Sequence, residues 1–293
     1  MDKTVKIVFD KEFFDIKDTL YCGQIFRFVK AGEGYLVFSA DKCAYCYEDG
    51  TNTVIECSPQ NERYFYDFFD LSRDYSVIAG AAENFGIPVL SLAAKLGKGV
   101  RILNQNSEEA LFSFVISQNN NIPRIKGLIE KLCAGAGEER FFYGEKFGEK
   151  GFKYRAFPAA KALSSLPESF FTSIGLGYRA GYIKGLADKI AAGYSVEKLS
   201  SLSTENLRNE LISIKGVGPK VADCAVLFGF HRADSFPADT WIEKVYREDF
   251  GGTLKDRKKI SEYFLNLFGE NSGYFQQYLF YYKRTPEKER NLM

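Results

Sequence analysis

Apolar positions along the chain fall into two regimes. Between residues 4 and 57, four short segments (TVKIVFD, GYLVFSA, CAYCYED and TNTVIEC) are rich in β-branched and aromatic residues and are split by Gly, Asp and Asn. That pattern predicts strands. From about residue 59 the period lengthens: ERYFYDFFDL and YSVIAGAAENF place apolar side chains three and four apart, as on one face of a helix. From 107 onward helices are predicted in EEALFSFVISQ, IPRIKGLIEKLCAG, AGYIKGLADKIAAG, TENLRNELISI, PKVADCAVLFGF, TWIEKVYREDF and KISEYFLNLFG. The stretch 137–157, Gly-rich and charged, is read as a surface loop. There is no internal repeat. The layout predicts an α+β protein with segregated elements: an N-terminal antiparallel β-rich domain over 1–100, then an all-α domain over 101–293.

Composition narrows this little. A length of 293 residues allows one or two domains, and 45% hydrophobic with 26% charged residues is ordinary for a globular enzyme. Aromatics reach 16%, which suits either a core or the stacking of bases; the run Tyr64, Phe65, Phe68, Phe69 is assigned to the core. A net charge of +1 does not mark a nucleic-acid binder, although residues 121–190 hold twelve Lys/Arg against seven Asp/Glu. The single histidine, His231, excludes multi-histidine metal sites. Cys43-x-x-Cys46 with Cys57 lacks a nearby fourth ligand, so these thiols are expected in the core and no metal is expected. The start, MDKTVKIVFDKEFF, has no apolar signal region, and no run of about 18 apolar residues exists. A reducing cytoplasm without membrane attachment is the expectation.

The chemistry concentrates in LISIKGVGPKVADCAVL, residues 211–227. A helix is expected to end near Ile214, Gly216-Val217-Gly218 to turn, and a second helix to open with Pro219. Such a hairpin is either a plain αα turn or a phosphate holder, whose turn amides and helix N-terminus bind the backbone without reading sequence. Lys220 stands at the positive end of the second helix, where the dipole opposes another positive charge and favours the neutral amine a nucleophile needs. The alternative is a solvated surface lysine. In FPADTWIEKVYRE, residues 236–248, Thr240 and Glu243 match a capping box. That leaves Asp239 just ahead of the helix as a cap or a functional carboxylate.

GVGPKVADCAVL followed by FPADTW resembles the helix–hairpin–helix/Gly-Pro-Asp superfamily of DNA glycosylases, in which a lysine at the hairpin marks the glycosylase/lyase branch. CGQIFRF (22–28), FSFVISQNNNIPRI (112–125), GLGYRAGYI (175–183) and GYFQQYLF (273–280), in that order, resemble motifs of the 8-oxoguanine DNA glycosylase family. The resemblance implies that the all-α domain is a helix–hairpin–helix glycosylase domain. It further implies a monomer without cofactor that acts on double-stranded DNA containing 8-oxoguanine, localised to the nucleoid if the source is bacterial or archaeal.

By the same resemblance, Lys220 is the nucleophile that forms a Schiff base and Asp239 the carboxylate that stabilises the sugar cation. The Gly23 carbonyl accepts the N7 hydrogen found only on the oxidised purine. Gln276 reads the Watson–Crick edge, and Phe280 and Cys224 sandwich the base. Asn119, Arg124 and Arg179 hold the orphaned cytosine, and Tyr178 is the wedge. Gly216 and Gly218 hold phosphate. Trp241 stands where eukaryotic members typically carry a DNA-contacting histidine, and is expected to bind DNA there by stacking instead. Pro123 could shift the helix start and re-aim Arg124.

Related enzymes with an iron–sulfur cluster use four cysteines after the catalytic region, and here no Cys follows residue 224. Gly175-x-Gly177-x-x-Ala180 mimics a dinucleotide fingerprint but lacks the strand that should precede it. Two other functions stay open: a glycosylase of the same fold for alkylated purines, and a DNA-binding scaffold without activity. The second gives no reason for Lys220, Asp239, Gln276 and Phe280 to occur together.

Overall fold

A computed structural model describes residues 4–286. The first three and last seven residues, counted above in the two predicted domains and in the N-terminal segment, lie outside the described residues. The N-terminal part runs β1 (Val5–Asp10), α1 (Ile16–Tyr21), β2 (Phe28–Ala31), β3 (Gly34–Ser39), β4 (Lys42–Asp49) and β5 (Asn52–Cys57). Three helices follow: α2 (Glu62–Phe68), α3 (Tyr75–Glu83) and α4 (Pro88–Leu96). The long helices α5 (Ser107–Ser117) and α6 (Ile122–Ala136) lead into a hairpin of β6 (Glu139–Phe142) and β7 (Phe152–Arg155). Then come α7 (Ala160–Ser164), α8 (Glu168–Ser173), α9 (Arg179–Ala191), α10 (Thr204–Ile212) and α11 (Pro219–Gly229). The chain closes with α12 (Thr240–Glu248), α13 (Arg257–Phe268) and α14 (Ser272–Arg284).

The five N-terminal strands form one antiparallel sheet in the order β1-β5-β4-β3-β2. β3 and β4 bury both faces. Tyr35, Val37, Ala44 and Cys46 join Phe65, Phe68 and Phe69 in one core, while Leu36, Phe38, Cys43 and Tyr45 face Phe142 in another. The second core corrects the expectation for 137–157. That segment is not a plain surface loop: β6 and β7 pair, and Phe142, Phe147, Phe152 and Tyr154 pack onto the sheet. Its charged residues alternate with these aromatics, and charge density hid the strand period.

The helical core draws on both predicted domains. Tyr75, Ile78, Ala82, Leu90 and Ala93 pack in the same apolar cluster as α5, α11 and α14. Residues 75–96 therefore belong physically with the helices that follow. All six cysteines are free and buried.

Candidate active site

The helix–hairpin–helix consists of α10, the turn at Gly216–Gly218 and α11. Gly216 has φ +92°, and a Cβ there would come within 2.4 Å of the Tyr182 ring. Only glycine fits both the dihedral and the approach. Gly218 is the N-cap of α11 and has open space where a Cβ would stand, so its face of the turn is free for a phosphate oxygen. Arg208 of α10 reaches the buried Asp223 of α11 through both carboxylate oxygens and clamps the two arms together.

Lys220 lies in the first turn of α11 and faces a cavity of about 370 Å³. That volume suits one purine. The cavity is assembled from distant parts of the chain. Gly23 follows α1, Lys220 and Cys224 come from α11, Asp239 and Trp241 from the start of α12, and Gln276 and Phe280 from α14. The Lys220 amine sits 5.5 Å from the Phe114 ring centroid and beside the Cys224 thiol. Burial pushes that thiol up to about 11, against the opposing pull of Lys220, so Cys224 stays a neutral apolar wall at ordinary pH.

Asp239 is itself the N-cap of α12. One carboxylate oxygen, Oδ1, accepts the backbone N–H of Trp241 at 2.9 Å and of Ile242 at 3.0 Å. The capping box expected from Thr240 and Glu243 does not form: the cap lies one residue earlier, and Glu243 pairs with Arg257 instead. Cap and cavity roles are thus compatible, because both cap bonds fall on Oδ1 and the carboxylate still lines the cavity.

Gln276 is 4% exposed. Its amide nitrogen donates to the Pro237 carbonyl at 3.1 Å, and its Oε1 has no partner among the described residues. A carbonyl can only accept, so this contact fixes the amide orientation and leaves an unsatisfied acceptor at the cavity wall. Next to it, Gln277 Nε2 donates to the Cys22 carbonyl at 3.1 Å and ties α14 to the segment carrying Gly23. Gly23 has φ +92°, and a Cβ there would meet Phe280 at 3.3 Å.

The remaining candidates form a second cluster beside the cavity. Asn119, with φ +46°, donates to the hydroxyl of the exposed Tyr178 at 3.2 Å. Pro123 fits the first turn of α6 without displacing it. Asn121 caps that helix through the Arg124 amide at 3.0 Å, and the Arg124 side chain remains exposed, 3.5 Å from the Gly175 carbonyl. Arg179, the third residue expected at the orphaned cytosine, is engaged within the protein. It is 3% exposed, and its guanidinium bonds the Gln118, Asn119 and Leu176 carbonyls. Here Arg179 holds the loop that presents Asn119.

Gln118 was missed in the sequence. Its side chain donates to the Gly216 carbonyl at 2.8 Å, so it links this loop to the hairpin turn. A polar residue between an apolar helix and an Asn run carries no periodic signal. His231 lies elsewhere, 3.1 Å from Asp70. Among the described residues no cluster of His, Cys, Asp or Glu is arranged to hold a metal.

Residues 6–111 match the model of the 8-oxoguanine DNA glycosylase N-terminal domain, and residues 112–270 match that of the HhH-GPD superfamily of base excision DNA repair proteins. The chain belongs to the 8-oxoguanine DNA glycosylase family. The structure of the Clostridium acetobutylicum 8-oxoguanine glycosylase/lyase, bound to DNA with cytosine opposite the lesion, superposes with TM-score 0.87 at 34% identity. The match covers 97% of this chain and 99% of that one. The N-glycosylase/DNA lyase of Saccharomyces cerevisiae is 34% identical over 181 residues, which are 57% of this chain and 46% of the yeast protein. The Arabidopsis thaliana N-glycosylase/DNA lyase is 32% identical over 204 residues, 65% of this chain and 54% of the plant one. The chain thus spans about half the length of these two curated family members. Its fold, an antiparallel sheet domain followed by helices, is that of the family.

Proposed function

We propose that this family member removes 8-oxoguanine from duplex DNA, preferring cytosine opposite, and then cleaves the strand as a lyase. One observation carries the reading: Lys220, Asp239, Gly23 and the unsatisfied Gln276 acceptor line a single purine-sized cavity although the sequence scatters them from residue 23 to residue 276. A base inside a duplex is out of reach, so it must be flipped into this cavity, at roughly a few kcal/mol. The exposed Tyr178 serves as the wedge, and Asn119 and Arg124 serve the partner left behind.

In the chemical step the Lys220 Nζ forms a bond to the sugar C1′ while the C1′–N9 bond breaks, and the base takes up a proton as it leaves. Asp239 stabilises the positive charge on the sugar as that bond lengthens. Opening of the sugar ring then gives a C1′ imine. Loss of a C2′ proton expels the 3′ phosphate by β-elimination. The Gly23 carbonyl selects the oxidised base, since guanine N7 is itself an acceptor and would leave the carbonyl unsatisfied.

The cavity is complete within one chain, which fits action as a monomer, and six free cysteines fit the cytoplasm. No helix of the described residues is long and apolar enough to cross a membrane. The deciding experiment is borohydride trapping on an 8-oxoguanine duplex. A covalent protein–DNA product is expected. Base release without trapping would point to a monofunctional glycosylase, and binding without either would leave a scaffold.

A further inference from the structure

We propose that Arg284 reads the second oxidised position of the base, donating to the C8 oxygen that guanine lacks. This rests on the assignment of the cavity to 8-oxoguanine. Arg284 is the last residue of α14 and lines the cavity beside Gly23. Its Nη1 stands 2.9 Å from where a Cβ on Gly23 would be, and its guanidinium carbon is 5.1 Å from the Phe280 ring centroid. The preceding residue, Lys283, is spent on Asp249 at 2.7 Å and Glu248 at 3.1 Å. The Arg284 guanidinium forms no ion pair or hydrogen bond among the described residues; the Phe280 ring holds it, by stacking.

The ligand chemistry matches this placement. 8-Oxoguanine carries a donor at N7 and an acceptor at the adjoining C8 oxygen. The protein carries an acceptor, the Gly23 carbonyl, and a charged fork of N–H donors beside it. Guanine offers a lone pair at N7 and a C–H at C8, so it fails to satisfy either group. A charge-assisted bond to a carbonyl is among the stronger contacts available. The alternative ligand for an unpaired guanidinium is a backbone phosphate. Its place inside the base cavity, rather than at the open Gly218 turn, favours the base.

The test compares Arg284→Gln and Arg284→Lys with the unsubstituted chain on two duplexes, one with 8-oxoguanine opposite cytosine and one with a preformed abasic site. Arg284→Gln is expected to lower single-turnover excision of 8-oxoguanine roughly tenfold or more relative to its own abasic-site cleavage. Its binding preference for 8-oxoguanine over guanine should shrink with it. Arg284→Lys, which keeps the charge but not the fork, should fall between. If both activities drop together and the salt dependence of binding becomes shallower, Arg284 is a phosphate contact and the proposal is overturned. Unchanged selectivity in a variant that melts like the parent overturns it too. Failure of the underlying reading looks different: the unsubstituted chain would form no reducible imine on either duplex, and the Arg284 assignment would fall with it.

Discussion

Lys220 keeps company with a neutral thiol and an aromatic ring, not with a carboxylate that would lock it in an ion pair. That environment leaves the amine available, and it makes a sharp expectation for Lys220→Gln. The amide fills similar space but cannot form an imine. Excision and borohydride trapping should disappear while binding to a lesion duplex survives, since a nucleophile acts on the barrier more than on ground-state affinity. Substantial excision by this variant would remove Lys220 from the mechanism. Asp239 needs a different design because it also caps α12. Asn retains an amide oxygen for the two backbone N–H groups and is itself a good cap, so Asp239→Asn should stay within about 1 kcal/mol of the parent in stability. It should nonetheless slow excision by orders of magnitude, because in the proposed mechanism the charge that stabilises the sugar cation is gone. Melting and single-turnover rates on the same variant separate the roles: a normal rate would make Asp239 a cap and nothing more.

The loop from Gln118 to Asn121 is where separate elements are joined. Gln118 bonds the hairpin turn, Arg179 grips the Gln118 and Asn119 carbonyls from α9, and Asn121 starts α6. Under the proposed reading, the opposite-base contacts depend on Gln118, a residue that need not touch DNA. Excision should be roughly tenfold or more faster opposite cytosine than opposite adenine. Both Arg124→Ala and Gln118→Ala should flatten that ratio, the first by removing a donor and the second by releasing the loop from the turn. Equal single-turnover rates opposite all four bases in the unsubstituted chain would show that no cytosine reader is assembled.

Such links were only partly legible in the sequence. Lys220 and Asp239 could be located because Gly-Val-Gly-Pro and Phe-Pro-Ala announce helix starts by local rules, and those rules erred by one residue at the Asp239 cap. Gln118 and the engagement of Arg179 were invisible, because both rest on partners about 60 to 100 residues away. The β6–β7 hairpin was hidden for a related reason. Its pairing is local, but what buries its aromatics is a sheet more than 90 residues upstream.

At the scale of the whole molecule, one buried arginine joins the three structural parts. Arg27, 2% exposed, precedes β2. It bonds the Glu109 carboxylate of α5 at 3.3 Å, the Ala40 carbonyl at 3.3 Å and the Arg155 carbonyl of β7 at 2.5 Å. Glu109 in turn accepts the Ala40 backbone N–H through its other oxygen. Sheet, hairpin and helical core meet there. Burial pushes the Glu109 carboxyl up, outweighing the attraction of Arg27.

The sign follows from linkage. A carboxyl whose folded value is raised is protonated more readily in the folded state, so it stabilises below its ordinary value near 4.3 and loses that contribution as pH rises through the folded value. Glu109→Gln should therefore flatten the fall in melting temperature over the pH range just above 4.3. Removing only the arginine is harsher. Arg27→Ala leaves Glu109 buried without its cation, a loss of roughly 3–5 kcal/mol. The double change Arg27→Leu with Glu109→Leu discards both charges together and should be markedly milder than Arg27→Ala. If the double variant is instead the less stable of the two, the hydrogen bonds to Ala40 and Arg155 hold the junction, and the ion pair is secondary.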